Sequence, residues 1–172
     1  RSFFRFLQLE KESPTDPTEL LESPQIGKHL PEVLSLEEIE SIIEATDPSR
    51  PEGQRDRAII ETLYGCGLRI TELCTLKISD LYLEEGYIRV HGKGRKERLV
   101  PIGAQAVKEL RTWFVARQGL KVAPGEEDCV FISTTRGRHL SRISLFVFIK
   151  EYARRAGITK NISPHTFRHS FA

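Results

Sequence analysis

The spacing of hydrophobic positions changes twice along the chain. Ser35-Leu36-Glu37-Glu38 has the form of a capping box, and Leu36, Ile39, Ile42 and Ile43 follow at helical spacing. This predicts a helix that ends near Thr46, before Pro48. Arg55 to Tyr64 is a second helix with Ala58, Ile59, Thr62 and Leu63 as its stripe, broken by Gly65 and Gly67. Leu68 to Leu76 reads as a third, short helix. The period then drops to two. Asp80–Leu83, Tyr87–His91 and Lys96–Pro101 are predicted strands, joined by Glu84-Glu85-Gly86 and by a glycine-rich tip, Gly92-Lys93-Gly94-Arg95. Helical spacing returns in Gly103–Gln118, on Ala106, Val107, Leu110, Trp113 and Phe114. Lys121 to Asp128 is a loop, and Val130 to Ile132 is too short to classify. Ser141 to Ala156 is a helix with Leu145, Ile149, Tyr152 and Ala156 on one stripe and Gly157 as its stop. A last helix opens at Ser163-Pro164. Helices, a three-stranded meander, then helices predict a mainly α fold with a small antiparallel sheet, an α+β class.

The first residues are patterned differently. Arg1 to Lys11 reads as the end of a helix, and its crowded apolar residues imply a partner domain. Glu12 to Pro31 carries Pro14, Pro17, Pro24 and Pro31 without periodicity and reads as a linker. Residues 32–172 form the main domain in this reading, and a chain of 172 residues suffices for one good core.

Charge sharpens the division. The net charge is +2, but residues 1–48 hold 4 Lys/Arg against 11 Asp/Glu, whereas residues 49–172 hold 22 against 13. The second part has the balance of a polyanion binder. No apolar run approaches a membrane span and no signal peptide is seen, so a cytoplasmic protein is expected. The three cysteines, Cys66, Cys74 and Cys129, have no metal or disulfide spacing and suit a reducing compartment.

Three constellations bear on chemistry. In Gly65 to Leu73, Arg69 stands with Glu72, Leu73 and Leu76 on one predicted helical face, partly buried and oriented by Glu72. It is either a structural ion pair or a guanidinium held to receive two phosphate oxygens. The hairpin Tyr87–Pro101 carries Arg89, Lys93, Arg95, Lys96 and Arg98 against one acid, Glu97, and suits a DNA groove. Arg136 to Lys160 has seven basic residues and one acid, Glu151. In that stretch Arg136, Arg138, Arg142 and Lys150 are candidate phosphate contacts, with Arg154 and Arg155 on the same cationic helix face. Finally, Ser163-Pro164-His165-Thr166-Phe167-Arg168 sets His165 and Arg168 one turn apart at a helix start. His165 and His169 have a metal-ligand spacing, but no nearby Cys or acidic cluster completes a site, so no metal is expected.

In this order, Gly67-Leu68-Arg69-Ile70-Thr71-Glu72-Leu73, Gly92-Lys93-Gly94-Arg95-Lys96-Glu97-Arg98-Leu99-Val100-Pro101 and Ser163-Pro164-His165-Thr166-Phe167-Arg168-His169 resemble the Xer-type tyrosine recombinases of the phage-integrase family. The resemblance runs from about Leu30 to Ala172, and Arg1 to Lys11 resembles the end of that family's helical DNA-clamping domain. It implies site-specific cutting and rejoining of double-stranded DNA through a 3′-phosphotyrosyl link, without cofactor or metal, by sister subunits in a synaptic tetramer. It further implies that Arg69 and Arg168 clamp the scissile phosphate, that Lys93 protonates the leaving 5′ oxygen, and that His165 takes the tyrosine proton or hydrogen-bonds the phosphate. Glu72 would support Arg69.

The family's nucleophilic tyrosine lies downstream of the His165 motif, where this chain ends at Ala172. Tyr64, Tyr82, Tyr87 and Tyr152 all precede that motif and suit core or strand roles. The expectation is therefore a fragment that lacks the tyrosine and does not cleave by itself. A DNA-binding module that never cuts, and a type IB topoisomerase-like relaxing enzyme, share these features and stand as alternatives.

Overall fold

The computed structural model describes residues 2–12, 15, 17, 18, 33–92, 96–162, 166 and 170. The chain divides into two units, Arg1–Leu30 and Pro31–Ala172. In the first, α1 (Ser2–Leu9) leaves Phe3, Phe6 and Leu9 exposed. Most of the proline-rich stretch read as a linker lies outside the described residues.

The second unit holds the core. Helix α2 (Leu36–Glu44) starts at the expected capping box: the Glu38 amide donates to Ser35 Oγ, and the Ser35 amide donates to Glu38 Oε2. It buries Ile39, Ile42 and Ile43. Helix α3 (Pro51–Gly65) begins a turn earlier than the apolar stripe indicates. Pro51 supplies the first helical position, and the polar residues after it hide the extra turn from periodicity. Gly53 is required there, because a Cβ would overlap the carbonyl of Asp47.

Helix α4 (Ile70–Cys74) is shorter than expected. A 3-10 turn, Ile78–Asp80, leads into the sheet. Strands β1 (Leu81–Tyr82), β2 (Tyr87–His91) and β3 (Glu97–Pro101) form the expected antiparallel meander in the order β1-β2-β3. Ile88 pairs with Val100, and Val90 with Arg98. Ile88, Val90 and Val100 turn into the core. Helix α5 (Ala104–Gln118) packs along α3, and α6 (Arg142–Arg155) packs against α2 and α4.

The unclassified segment Val130–Ile132 is central core. Trp113 Nε1 donates to the Val130 carbonyl at 2.8 Å, and Lys77 with Cys129 and Ile132 with His139 form isolated bridges. A short segment held by isolated bridges and buried at every position shows no alternation, which is why its pattern is uninformative. Near the end of the chain Thr166 and Ser170 are helical, and the Leu34 amide donates to Ser170 Oγ at 2.7 Å.

Candidate active site

The site grows from the turn between α3 and α4. Cys66 caps α3, and Gly67 takes a left-handed conformation, φ 55°, that lets the chain leave the helix. Leu68 is then buried, and Arg69 is extended, φ −73° and ψ 147°, as the N-cap of α4. This corrects the expectation that Arg69 lies within a helix and is partly buried beside its apolar stripe. Its side chain is 54% exposed, because the N-cap residue points away from the face that Leu73 and Leu76 bury.

Glu72 is the buried partner, its side chain only 3% exposed. Its Oε2 accepts from the Arg69 amide at 2.8 Å, and its Oε1 accepts from Arg69 Nη1 at 2.9 Å. Arg98, on β3, grips the same carboxylate: Nη1 reaches Oε1 at 2.7 Å and Nη2 reaches Oε2 at 2.9 Å. Burial pushes the Glu72 carboxyl up, but the hydrogen bonds from Arg98 and Arg69 outweigh it and hold the group down at about 2. Glu72 is therefore a fixed negative charge at any neutral pH. A cleft of about 670 Å³ opens above it, lined by Arg69, Glu72, His91, Gly92, Lys96 and Arg98.

A second buried acid, Asp80, braces the base of the hairpin. Its Oδ1 accepts from Arg89 Nε at 2.8 Å, and its Oδ2 lies 3.1 Å from His91 Nε2. Sequence reasoning missed both Asp80 and His91. The available signal is an acid just before a strand whose alternate positions are basic.

Of the expected phosphate contacts, Arg89 pairs with Asp80 and Arg98 with Glu72. A basic side chain beside a desolvated carboxylate pairs with it. Lys96 is exposed in the cleft, and Arg136, Arg138, Arg142 and Lys150 are exposed outside it. Lys150 Nζ lies 4.5 Å from the Phe146 ring centroid. Arg154 and Arg155 both bind Glu151, so they add less free charge to α6 than their number implies. Lys93, Arg95, His165 and Arg168 lie outside the described residues.

All four tyrosines of the chain are built into the structure. Tyr82 and Tyr87 stack with centroids 4.7 Å apart, Tyr64 packs on the core, and Tyr152 donates to Asp56 at 3.0 Å. Burial and Asp56 push the Tyr152 phenol up to about 12. Burial likewise raises the thiols of Cys66 and Cys74, to about 12 and about 11, which suits core filling rather than nucleophilic work. Among the described residues no group of three or more His, Cys, Asp or Glu is placed to hold a metal, and no helix is long and apolar enough to cross a membrane.

The chain is similar in sequence and in fold to known proteins. The chain is 45% identical over its whole length to the tyrosine recombinase XerD of Pseudomonas putida, and it spans 57% of that relative's length. The crystal structure of the XerA recombinase superposes with a TM-score of 0.73 at 32% identity, covering 96% of this chain and 56% of that one. A XerH site-specific recombinase, solved as a post-cleavage complex on its difH substrate, gives 0.73 at 29% identity, covering 87% and 43%. Residues 32–172 match the phage integrase family over more than half of the chain. The chain belongs to the phage integrase family.

Proposed function

We propose that the chain carries the catalytic core of a site-specific DNA recombinase that cuts and rejoins duplex DNA through a 3′-phosphotyrosyl intermediate. The observation that carries this reading is Arg69. It stands half-exposed at a cleft beside a basic hairpin, and a buried, ionised carboxylate aims it. A guanidinium fixed in this way meets the non-bridging oxygens of a phosphate without reorganising as charge develops there. Arg168 completes the clamp, Lys93 on the hairpin delivers a proton to the 5′ oxygen, and His165 assists the nucleophile or the phosphate. Glu72 supports Arg69. Arg95, Lys96, Arg136, Arg138, Arg142 and Lys150 contact the DNA backbone.

None of the four tyrosines fits the nucleophile, since each is committed to packing or to the sheet. The attacking tyrosine is therefore a residue outside these 172. In this reading residues 1–11 end a helical DNA-clamping domain, 12–31 link it to the catalytic domain at 32–172, and sister subunits assemble on cytoplasmic DNA. The names of the XerD, XerA and XerH relatives support it, and so does the DNA-bound form of the last.

The test uses the full-length parent protein and nicked suicide duplexes, without magnesium, read as a covalent adduct on a denaturing gel. The expected result is an adduct whose rate of formation falls about 10²–10³-fold in Arg69→Ala, the loss typical of one transition-state donor. Salt-sensitive DNA binding with no adduct on any candidate duplex would overturn it in favour of the non-cutting module.

A further inference from the structure

We infer that Arg98 is a positioning residue for Arg69, and that it ties the DNA-facing hairpin to the phosphate clamp through Glu72. The inference rests on the function proposed above and assigns Arg98 a task different from touching DNA.

The geometry makes the case. Each oxygen of Glu72 takes one bond from Arg98 and one from Arg69, at 2.7 and 2.9 Å on Oε1 and at 2.9 and 2.8 Å on Oε2. The two-pronged grip of Arg98 fixes the plane of the carboxylate, because rotating it would break both bonds at once. That plane dictates where Oε1 meets Arg69 Nη1. Arg69 contributes only its amide and one terminal nitrogen to Glu72, so Nε and Nη2 have no bond to that carboxylate. Arg98 commits its end-on fork, one N–H from each terminal nitrogen, to Glu72 and leaves its Nε edge as the only other fork.

Arg98 also joins two parts of the fold that are far apart in sequence. It pairs in register with Val90 on β2, the strand that leads to the Gly92-Lys93-Gly94-Arg95 tip, while Glu72 belongs to α4. With Glu72 nearly fully buried, the link has little competition from water. A displacement of the hairpin is thus passed to Arg69 through one carboxylate. The burial that pushes Glu72 towards its neutral form is resisted first by Arg98, so loss of Arg98 weakens both the orientation and the charge of the group.

The experiment compares Arg98→Gln, Arg98→Lys and Lys96→Gln with the parent protein. DNA affinity is read by anisotropy across a salt series, and adduct formation is read across pH. A positioning role predicts that Arg98→Gln leaves the salt slope unchanged and slows adduct formation about 100-fold, the cost of misplacing a reacting group by about 1 Å. Raising the pH should recover part of that rate, because Glu72 ionises again. Arg98→Lys should keep the fold and the charge but regain little rate, since it lacks the fork. Lys96→Gln should lower the slope by about 0.9, as removal of one phosphate contact does. If Arg98→Gln lowers the slope in the same way with no pH-dependent rate loss, Arg98 is a phosphate contact and the inference falls.

A second readout is independent of catalysis. Carbon-13 titration of the Glu72 carboxyl in the 172-residue chain should move up from about 2 in both Arg98 variants, further in Arg98→Gln. An unmoved titration overturns the inference even if the parent forms adducts. Absence of adducts from the unmodified parent overturns the proposed function instead and leaves this titration to decide the role of Arg98.

Discussion

Asp56 and Glu72 are both buried carboxylates, 5% and 3% exposed, and both are bonded to arginine, yet they behave oppositely. Asp56 sits between α3 and α6. Arg55 binds its Oδ1 through Nε and Nη2, at 2.8 and 2.7 Å, and the Tyr152 hydroxyl donates to Oδ2. Burial wins there and pushes the Asp56 carboxyl up. At Glu72 two arginines supply four bonds, and the charge wins. The second cation makes the difference, together with its geometry: Arg98 reaches Glu72 as a fork, whereas Arg55 converges on a single oxygen of Asp56. Asp56 is thus a hydrogen-bonded strut in the core. Glu72 is a permanent negative charge at the edge of a cleft, able to anchor one arginine that remains available to a ligand.

The largest expected effect breaks the strut. Asp56→Ala leaves the Arg55 guanidinium, 10% exposed, with its bond to the Ile132 carbonyl as the remaining described hydrogen bond. Stability in urea should fall by about 3–5 kcal/mol. Glu72→Ala should cost less, about 2–3 kcal/mol, because Arg69 and Arg98 are 54% and 38% exposed and recover water. If Glu72→Ala proves the costlier of the two, the partial exposure of its partners does not relieve the loss and the contrast fails.

Acid titration sharpens the same contrast through slopes of opposite sign. The Glu72 carboxyl lies below its ordinary value of 4.5, so its stabilisation is complete above that pH and is lost as pH falls towards about 2. The Asp56 carboxyl lies above its ordinary 3.8, so the native state holds its proton longer than the unfolded chain does. Asp56 therefore makes stability fall as pH rises from 3.8 through its raised value. Urea unfolding from pH 2 to 7 should lose the acid-side decline in Glu72→Gln and become steeper on the alkaline side of it in the unsubstituted protein than in Asp56→Asn. Identical pH profiles for the two variants would show that the carboxylates are alike.

Much of this was legible in the residues. Periodicity located the long helices and the meander, since each buries one face, and the Ser35 capping box and the Gly67 turn are local chemistry. Arg69 and Glu72 were legible as a pair because they are three residues apart. The role of Arg98 was not, because its partner is 26 residues away and a basic residue on a strand has the same pattern whether it meets phosphate or a buried acid. Asp56 was hidden for a related reason. A charged residue inside an apolar helix face looks like a break in the stripe until Tyr152, 96 residues on, is packed against it.

The smallest effect tests whether hydroxyl and guanidinium are equivalent partners for a buried acid. Tyr152→Phe removes the bond to Asp56 Oδ2 and keeps the ring. The phenol, pushed up to about 12, donates throughout the neutral range, so its loss should cost about 1–2 kcal/mol wherever Asp56 is ionised. With Arg55 alone, burial then pushes Asp56 higher still, and the decline of stability with rising pH should still begin near 3.8 but continue to higher pH and run deeper. A cost that shrinks as pH falls would tie the bond to the charged form of Asp56. A neutral Tyr152→Phe would reduce the contrast between the two acids to the number of arginines each receives.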